Sequence, residues 1–305
     1  MTFPKRRGTR SDDGFFGPDS VTWRVAGHPL VMTVGAMRNI AYSALSSEVT
    51  QSVNDHSSFY TDPIQRARET AWYGVSAIFG DRAEARRAGR YVQAKHARVK
   101  GHDPVSRTDY SPSRPDLARM AHCIIWDSNL IAYETYVGAL SDTDKTRYWD
   151  EGRQFAALLD IDLDSLPATV EDWRTEYHTT LAPRLNLSAG AIGLTDFARR
   201  GANAPLWARP VAITAVWLLE ELTTPTLPRT ARALWGKRRT QPQLALTRLT
   251  GRGLAALSTL PPVRDAYERA LGGDAHTILE EARALGARPT TATVALTEEP
   301  VAAPA

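Results

Sequence analysis

Four side chains in the first half of the chain have the types and spacing to do chemistry. Arg66 and Thr70, in R-A-R-E-T, stand four residues apart and share one helix face, which Tyr73 and Ala77 extend. His96, in Q-A-K-H-A-R-V-K-G, falls on the apolar stripe of Val92 and Val99. His122, in A-R-M-A-H-C-I-I-W-D-S, is flanked by Ala121, Ile124 and Ile125. A pocket for haem between helices needs such a set. A neutral imidazole supplies an axial ligand to iron, a guanidinium pairs with a propionate, and apolar walls keep water from the ring. The same spacings also suit a hydrogen-bonded core histidine and a solvated Arg–Thr face, so residue types alone leave both readings open.

Several other chemistries are excluded. The chain has no G-x-G-x-x-G, no phosphate-binding P-loop, no G-x-S-x-G and no H-E-x-x-H. None of its seven histidines follows a glutamate by three residues, so the Glu-x-x-His pairs of di-iron bundles are missing. Cys123 is the single cysteine, which rules out a cysteine-rich zinc site, an iron–sulfur cluster and an internal disulfide, and suits a reducing compartment. For redox chemistry there remains a cofactor held by histidine.

The elements that must position these residues read as helices. Ile64, Ala67, Ala71, Val75 and Ile78 step by three or four between Asp62 and Phe79, with Thr61 or Asp62 as cap and Pro63 in the first turn. Asp81 caps the next helix, which carries His96 and is expected to stop at Gly101. A loop rich in Pro, Ser and Asp follows, and then a long helix from Asp116 to Ala139. Ser141 caps another, and further helical periods run through Thr169–Leu181, Pro205–Glu221, Arg229–Trp235, Pro242–Leu257 and Val263–Leu271. With no alternating strand or hairpin signal, the expected class is all-α, one globular domain of about ten helices with the candidate pocket between them.

Hydrophobic residues at 43% and charged residues at 23% describe an ordinary globular chain, and a formal charge of +3 does not call for nucleic acid. The local basic excess from Arg229 to Arg252 is read as a solvated helix face, with an acidic surface or anionic lipid as the alternative. Residues 1–18 are expected to form a flexible arm, residues 19–285 the helical domain and residues 286–305 a disordered tail. No apolar run follows Arg6 and Arg7, and the apolar stretch at 29–37 is too short to span a bilayer, so the expected location is cytoplasmic, with transient contact at a membrane surface if the substrate is apolar.

The ordered segments D-P-I-Q-R-A-R-E-T, K-H-A-R-V-K-G, Y-S-P-S-R-P-D-L, A-H-C-I-I-W-D-S and L-P resemble the family of rubber oxygenase (latex-clearing protein) and the fungal oxygenase MpaB. The resemblance runs over residues 30–185 and more loosely beyond. It implies an all-α fold binding one haem b, and a catalyst that uses dioxygen to cleave carbon–carbon double bonds in a small apolar, isoprenoid-like substrate. On that resemblance Arg66 and Thr70 stand beside the haem as catalytic residues, His96 is the iron ligand, and His122 is a second pocket residue or the alternative ligand. The chain departs from the family at Met120 and Ala121, where tryptophan and valine are usual, and at Glu69, where rubber oxygenase has a lysine. Glu48 does not match the spacing of that enzyme's upstream glutamate. The rival expectations are a haem- or ligand-binding helical carrier or sensor without turnover, and a haem-free relative.

Overall fold

The computed structural model describes residues 8–201 and 204–286. Among these, fourteen α-helices surround one core: α1 Val21–Ala26, α2 Pro29–Ser43, α3 Ser47–His56, α4 Pro63–Phe79, α5 Arg82–His96, α6 Pro115–Tyr136, α7 Asp142–Ala157, α8 Val170–Glu176, α9 Ala189–Arg199, α10 Arg209–Thr223, α11 Arg229–Leu234, α12 Gln241–Ser258, α13 Pro261–Ala270 and α14 Ala275–Leu285. The all-α expectation holds. No helix of the described residues is long and apolar enough to cross a membrane.

Local chemistry starts the site-bearing helices. Asp62 accepts a hydrogen bond from the Gln65 amide at 3.0 Å, and Asp81 accepts one from the Glu84 amide at 2.8 Å, so each carboxylate satisfies a free donor of a helix start. Ser141 does the same for α7, and Thr169 and Asp172 form a capping box on α8. Beyond α8 the chain continues through a π turn, Tyr177–Leu181, which aims Tyr177 at Tyr42 with ring centroids 4.8 Å apart.

The central pair is α2 and α6, the two helices in most extensive contact. They approach at Gly35: a Cβ there would lie 2.1 Å from Asn129 Oδ1 and 3.2 Å from Asn129 Cα. Gly35→Ala is therefore expected to lower stability by about 1–3 kcal/mol, the usual cost of overpacking, read as a shifted urea midpoint at unchanged slope. A buried ionic network locks the same helices. Arg38 donates to Asp127 Oδ2 at 3.0 Å, to Ser128 Oγ at 2.8 Å and to the Thr226 carbonyl at 3.0 Å. Arg174 of α8 donates to Asp127 Oδ1 at 3.0 Å.

Three expectations need correction. The loop after α5 contains a hairpin, β1 Gly101–Asp103 paired antiparallel with β2 Thr108–Tyr110. Its two strands of three residues each are too short to display alternation, and the turn is held by Asp103, whose carboxylate accepts from the Val105 and Ser106 amides at 3.1 and 3.0 Å. Helix α5 ends at His96, earlier than Gly101, so His96 lies at a helix terminus instead of mid-stripe. Within the expected flexible arm, residues 8–18 are seated on the core: Phe15 and Phe16 are buried, and Ser11 donates twice to Asp81 at 3.1 Å. Two aromatic rings outweigh the glycines and aspartates around them. Residues 1–7, and all of the expected tail beyond Gly286, lie outside the described residues.

Candidate functional site

Helix α4 presents Arg66, Thr70 and Tyr73 along one face. The Arg66 guanidinium donates to Thr70 Oγ1, and Thr70 Oγ1 donates back to the Arg66 carbonyl at 3.1 Å. The threonine thus fixes the arginine's direction. Arg66 is half-buried and Thr70 is exposed, so this end of the site opens to solvent.

His96 faces the same arginine. Burial holds its imidazole below the ordinary histidine pKa, and the charges of Arg66 and Lys95 push in the same direction. A cation beside an imidazole disfavours the imidazolium and leaves a neutral ring with a lone pair. Neighbouring groups orient it without binding it. Glu69, buried on α4, receives Lys95 Nζ at 2.5 Å and the Tyr91 hydroxyl at 3.4 Å. That pair ties the last turn of α5 to α4. Glu69 stands where rubber oxygenase has a lysine, so its charge here is spent on a structural ion pair.

His122 lies deeper. Its ring stacks on Trp126 (5.5 Å, 23°) and on Phe155 of α7 (6.1 Å, 27°). Trp126 is itself fixed by reciprocal bonds: its Nε1 donates to the Tyr148 carbonyl at 2.9 Å, and the Tyr148 hydroxyl donates to the Trp126 carbonyl at 3.0 Å. Burial, and then the charge of Arg153, push the His122 pKa down to about 4, so the ring is neutral at pH 7. Its Nδ1 is buried with no hydrogen-bond partner. The Tyr73 hydroxyl is likewise buried without one, and the Tyr73 ring meets Phe155 edge-on at 5.5 Å.

The four expected residues thus fall into two groups. Arg66, Thr70 and His96 come together at the open end of α4 and α5. His122 sits in an aromatic strip, joined to that helix face through Phe155 and Tyr73, and is not hydrogen-bonded to the other three. Trp126, Phe155 and Tyr148 were not visible as site residues because their roles depend on packing between helices distant in sequence. The I-I-W-D-S segment was the only hint, through Trp126.

Two further features lie elsewhere. A cavity of about 560 Å³ along α7, lined by Thr143, Thr146, Arg147, Asp150, Glu151 and Gln154, includes none of the four residues. Asp265, His276 and Glu280 form the one group of His and carboxylate ligands found close enough to hold a metal ion among the described residues. There Nε2 of His276 lies 2.9 Å from Asp265 and Nδ1 lies 3.3 Å from Glu280, while Arg269 pairs with Asp265 at 3.1 Å. With both ring nitrogens engaged and a guanidinium present, the group reads as a clasp between α13 and α14.

His96 and His122, each a neutral imidazole and the latter with an unpartnered buried nitrogen, have the donor chemistry of a ligand to haem iron, and Arg66 has that of a partner for an anionic edge. No curated protein and no solved structure matches the chain. The family model described as ER-bound oxygenase mpaB/B'/rubber oxygenase, catalytic domain, matches residues 23–258. That span takes in Arg66, Thr70, His96 and His122 and ends with the last residue of α12. With well over half of the chain so matched, the protein belongs to the mpaB/rubber oxygenase catalytic-domain family.

Proposed function

We propose that the protein is a haem b-dependent oxygenase that acts with dioxygen on a small apolar, isoprenoid-like substrate, with His96 as the iron ligand. The observation that carries this reading is the pairing of Arg66, held by Thr70, with a His96 ring biased to its neutral form. His96 is preferred to His122 on access. It borders the solvent-open end of α4, whereas the His122 ring is buried in the aromatic strip beside Trp126 and Phe155. Bound haem would supply the iron centre that activates dioxygen.

The protein's own residues have distinct tasks in this reading. Arg66 would pair with a propionate, and its charge adds to burial in holding His96 deprotonated. Thr70 holds the guanidinium in place through its hydroxyl and so acts as a positioning residue. Tyr73 and Phe155 form the apolar wall, and His122 borders it as a neutral ring that brings no charge into the wall. The buried Tyr73 hydroxyl is the one donor on that wall able to turn toward a polar atom of a bound molecule.

The test is the absorption spectrum of purified protein. We expect a Soret band whose intensity per chain falls at least about tenfold in His96→Ala and stays largely intact in His122→Ala. Full haem content in His96→Ala would remove the assignment. Haem uptake without oxygen consumption in the presence of an apolar alkene would instead favour a carrier or sensor.

A further inference from the structure

The basic, apolar surface of α10–α12 is not explained by the site. Thirteen of the seventeen large apolar side chains found exposed lie between Ile192 and Val263. Helix α10 carries no charged residue from Pro210 to Leu219 and buries only Leu222 and Thr223. Trp207 is 85% exposed, Leu206 77%, Val211 72% and Trp217 58%. On α12, Leu246, Leu249 and Leu257 fall within one narrow arc of the helix and are all exposed. The two helices touch each other and both rest on α2, whose Ile40 is exposed as well. A soluble monomer rarely shows so much contiguous apolar side chain without a partner.

The charge around this surface selects the partner. Residues 190–260 hold ten Lys and Arg against three Asp and Glu, a net +7, whereas the whole chain nets +3, so the remainder nets −4. The three acids are already engaged: Glu220 by Arg199 and Lys237, Glu221 by Arg239, and Asp196 by Arg199. Arg229, Arg232 and Arg248 have no carboxylate partner among the described residues, yet they crowd one another. Burial lowers the Arg232 pKa, and the charges of Arg248 and Arg229 lower it further. Guanidiniums gathered without counter-charge on helices that also carry exposed leucines match an anionic headgroup lying over acyl chains. Exposed tryptophans are the side chains that favour that boundary. A second copy of the chain fits less well, because like net charges of +7 would face each other.

We propose that the α10–α12 face docks on an anionic lipid bilayer, with Trp207, Trp217 and Leu249 entering the interface and Arg232 and Arg248 pairing with lipid phosphates. Helix α10, at fifteen residues, lies in the interface plane and does not span it. The proposal rests on this surface alone and is independent of the cofactor assignment.

Flotation of the full chain tests it, using phosphatidylcholine vesicles with and without one-quarter phosphatidylglycerol. Binding is expected only with the anionic lipid, weakening as salt is raised. Arg232→Gln combined with Arg248→Gln should weaken it about thirtyfold, and Trp207→Ser combined with Trp217→Ser should abolish the blue shift of tryptophan emission on vesicle addition. These side chains border solvent, and an unchanged circular dichroism melt confirms that the variants fold. Equal binding to both vesicle types overturns the proposal. So does absence of binding together with a concentration-dependent dimer that Trp217→Ser dissociates, which would assign the face to a second copy.

Discussion

Asp127→Ala is expected to destabilise the protein by about 3–5 kcal/mol, a large share of an ordinary total stability of about 5–15 kcal/mol. Both Asp127 oxygens are committed, one to Arg38 and one to Arg174, and both Arg38 and Asp127 are buried. Removing the carboxylate leaves a guanidinium in the interior with no counter-charge, its ring contact with Tyr42 at 4.8 Å being no substitute. Arg174 is about one-third exposed and regains water, so its share of the loss is small. The cost should therefore follow Arg38. In a double-mutant cycle, Arg38→Met combined with Asp127→Ala should be less damaging than Asp127→Ala alone. Urea unfolding measures both, and a single-variant loss under about 1 kcal/mol would show that the network does not hold α2, α6 and α8 together.

His122 should make the protein lose stability on mild acidification. Its pKa is about 4 in the fold against an ordinary 6.5, so the unfolded chain takes up the proton first. Stability is unaffected by this group above about pH 6.5, falls as pH drops through the window from 6.5 to 4, and levels off below, where both states are protonated. The full loss is about 3 kcal/mol, and the share present at pH 5 is about 2 kcal/mol. His122→Gln removes the titration but keeps a polar side chain. The difference in unfolding free energy between pH 7 and pH 5 should thus shrink by about 2 kcal/mol in this variant. His28 and His96, also held below their ordinary values, are present in both proteins and cancel in the comparison. An unchanged difference would mean that the ring is not desolvated by Trp126 and Phe155.

The helix starts were legible because they depend on neighbours three residues away: Asp62, Asp81 and Ser141 all cap as their positions suggest. The Arg66–Thr70 pair was legible for the same reason, since one helical turn fixes it. His96 was only partly so. Its stripe placed it toward the core, but the helix ends beneath it, and its neighbour Arg66 comes from another helix. The aromatic strip around His122 could not be read at all, because stacking on Phe155 requires knowing how α7 lies on α6. Asp127 shows the same limit. Two arginines from α2 and α8 on one carboxylate are a property of tertiary packing. The basic run from Arg229 to Arg252 looked like a solvated face until the exposed leucines and tryptophans beside it came into view.

The seating of residues 8–18 has a consequence for how the chain acquires its structure. Ser11 meets Asp81 across seventy residues, and Asp81 and Arg82 become available only once the corner between α4 and α5 has formed. Closing so long a loop is entropically slow to repay, so this segment docks late. During synthesis it leaves the ribosome before that corner does, and Phe15 and Phe16 then wait in water until the corner is made. Nascent chains therefore expose an adhesive aromatic pair until the α4–α5 corner forms, a natural target for a chaperone. Tags or truncations that reach past residue 8 would remove the latch itself and not a dispensable leader.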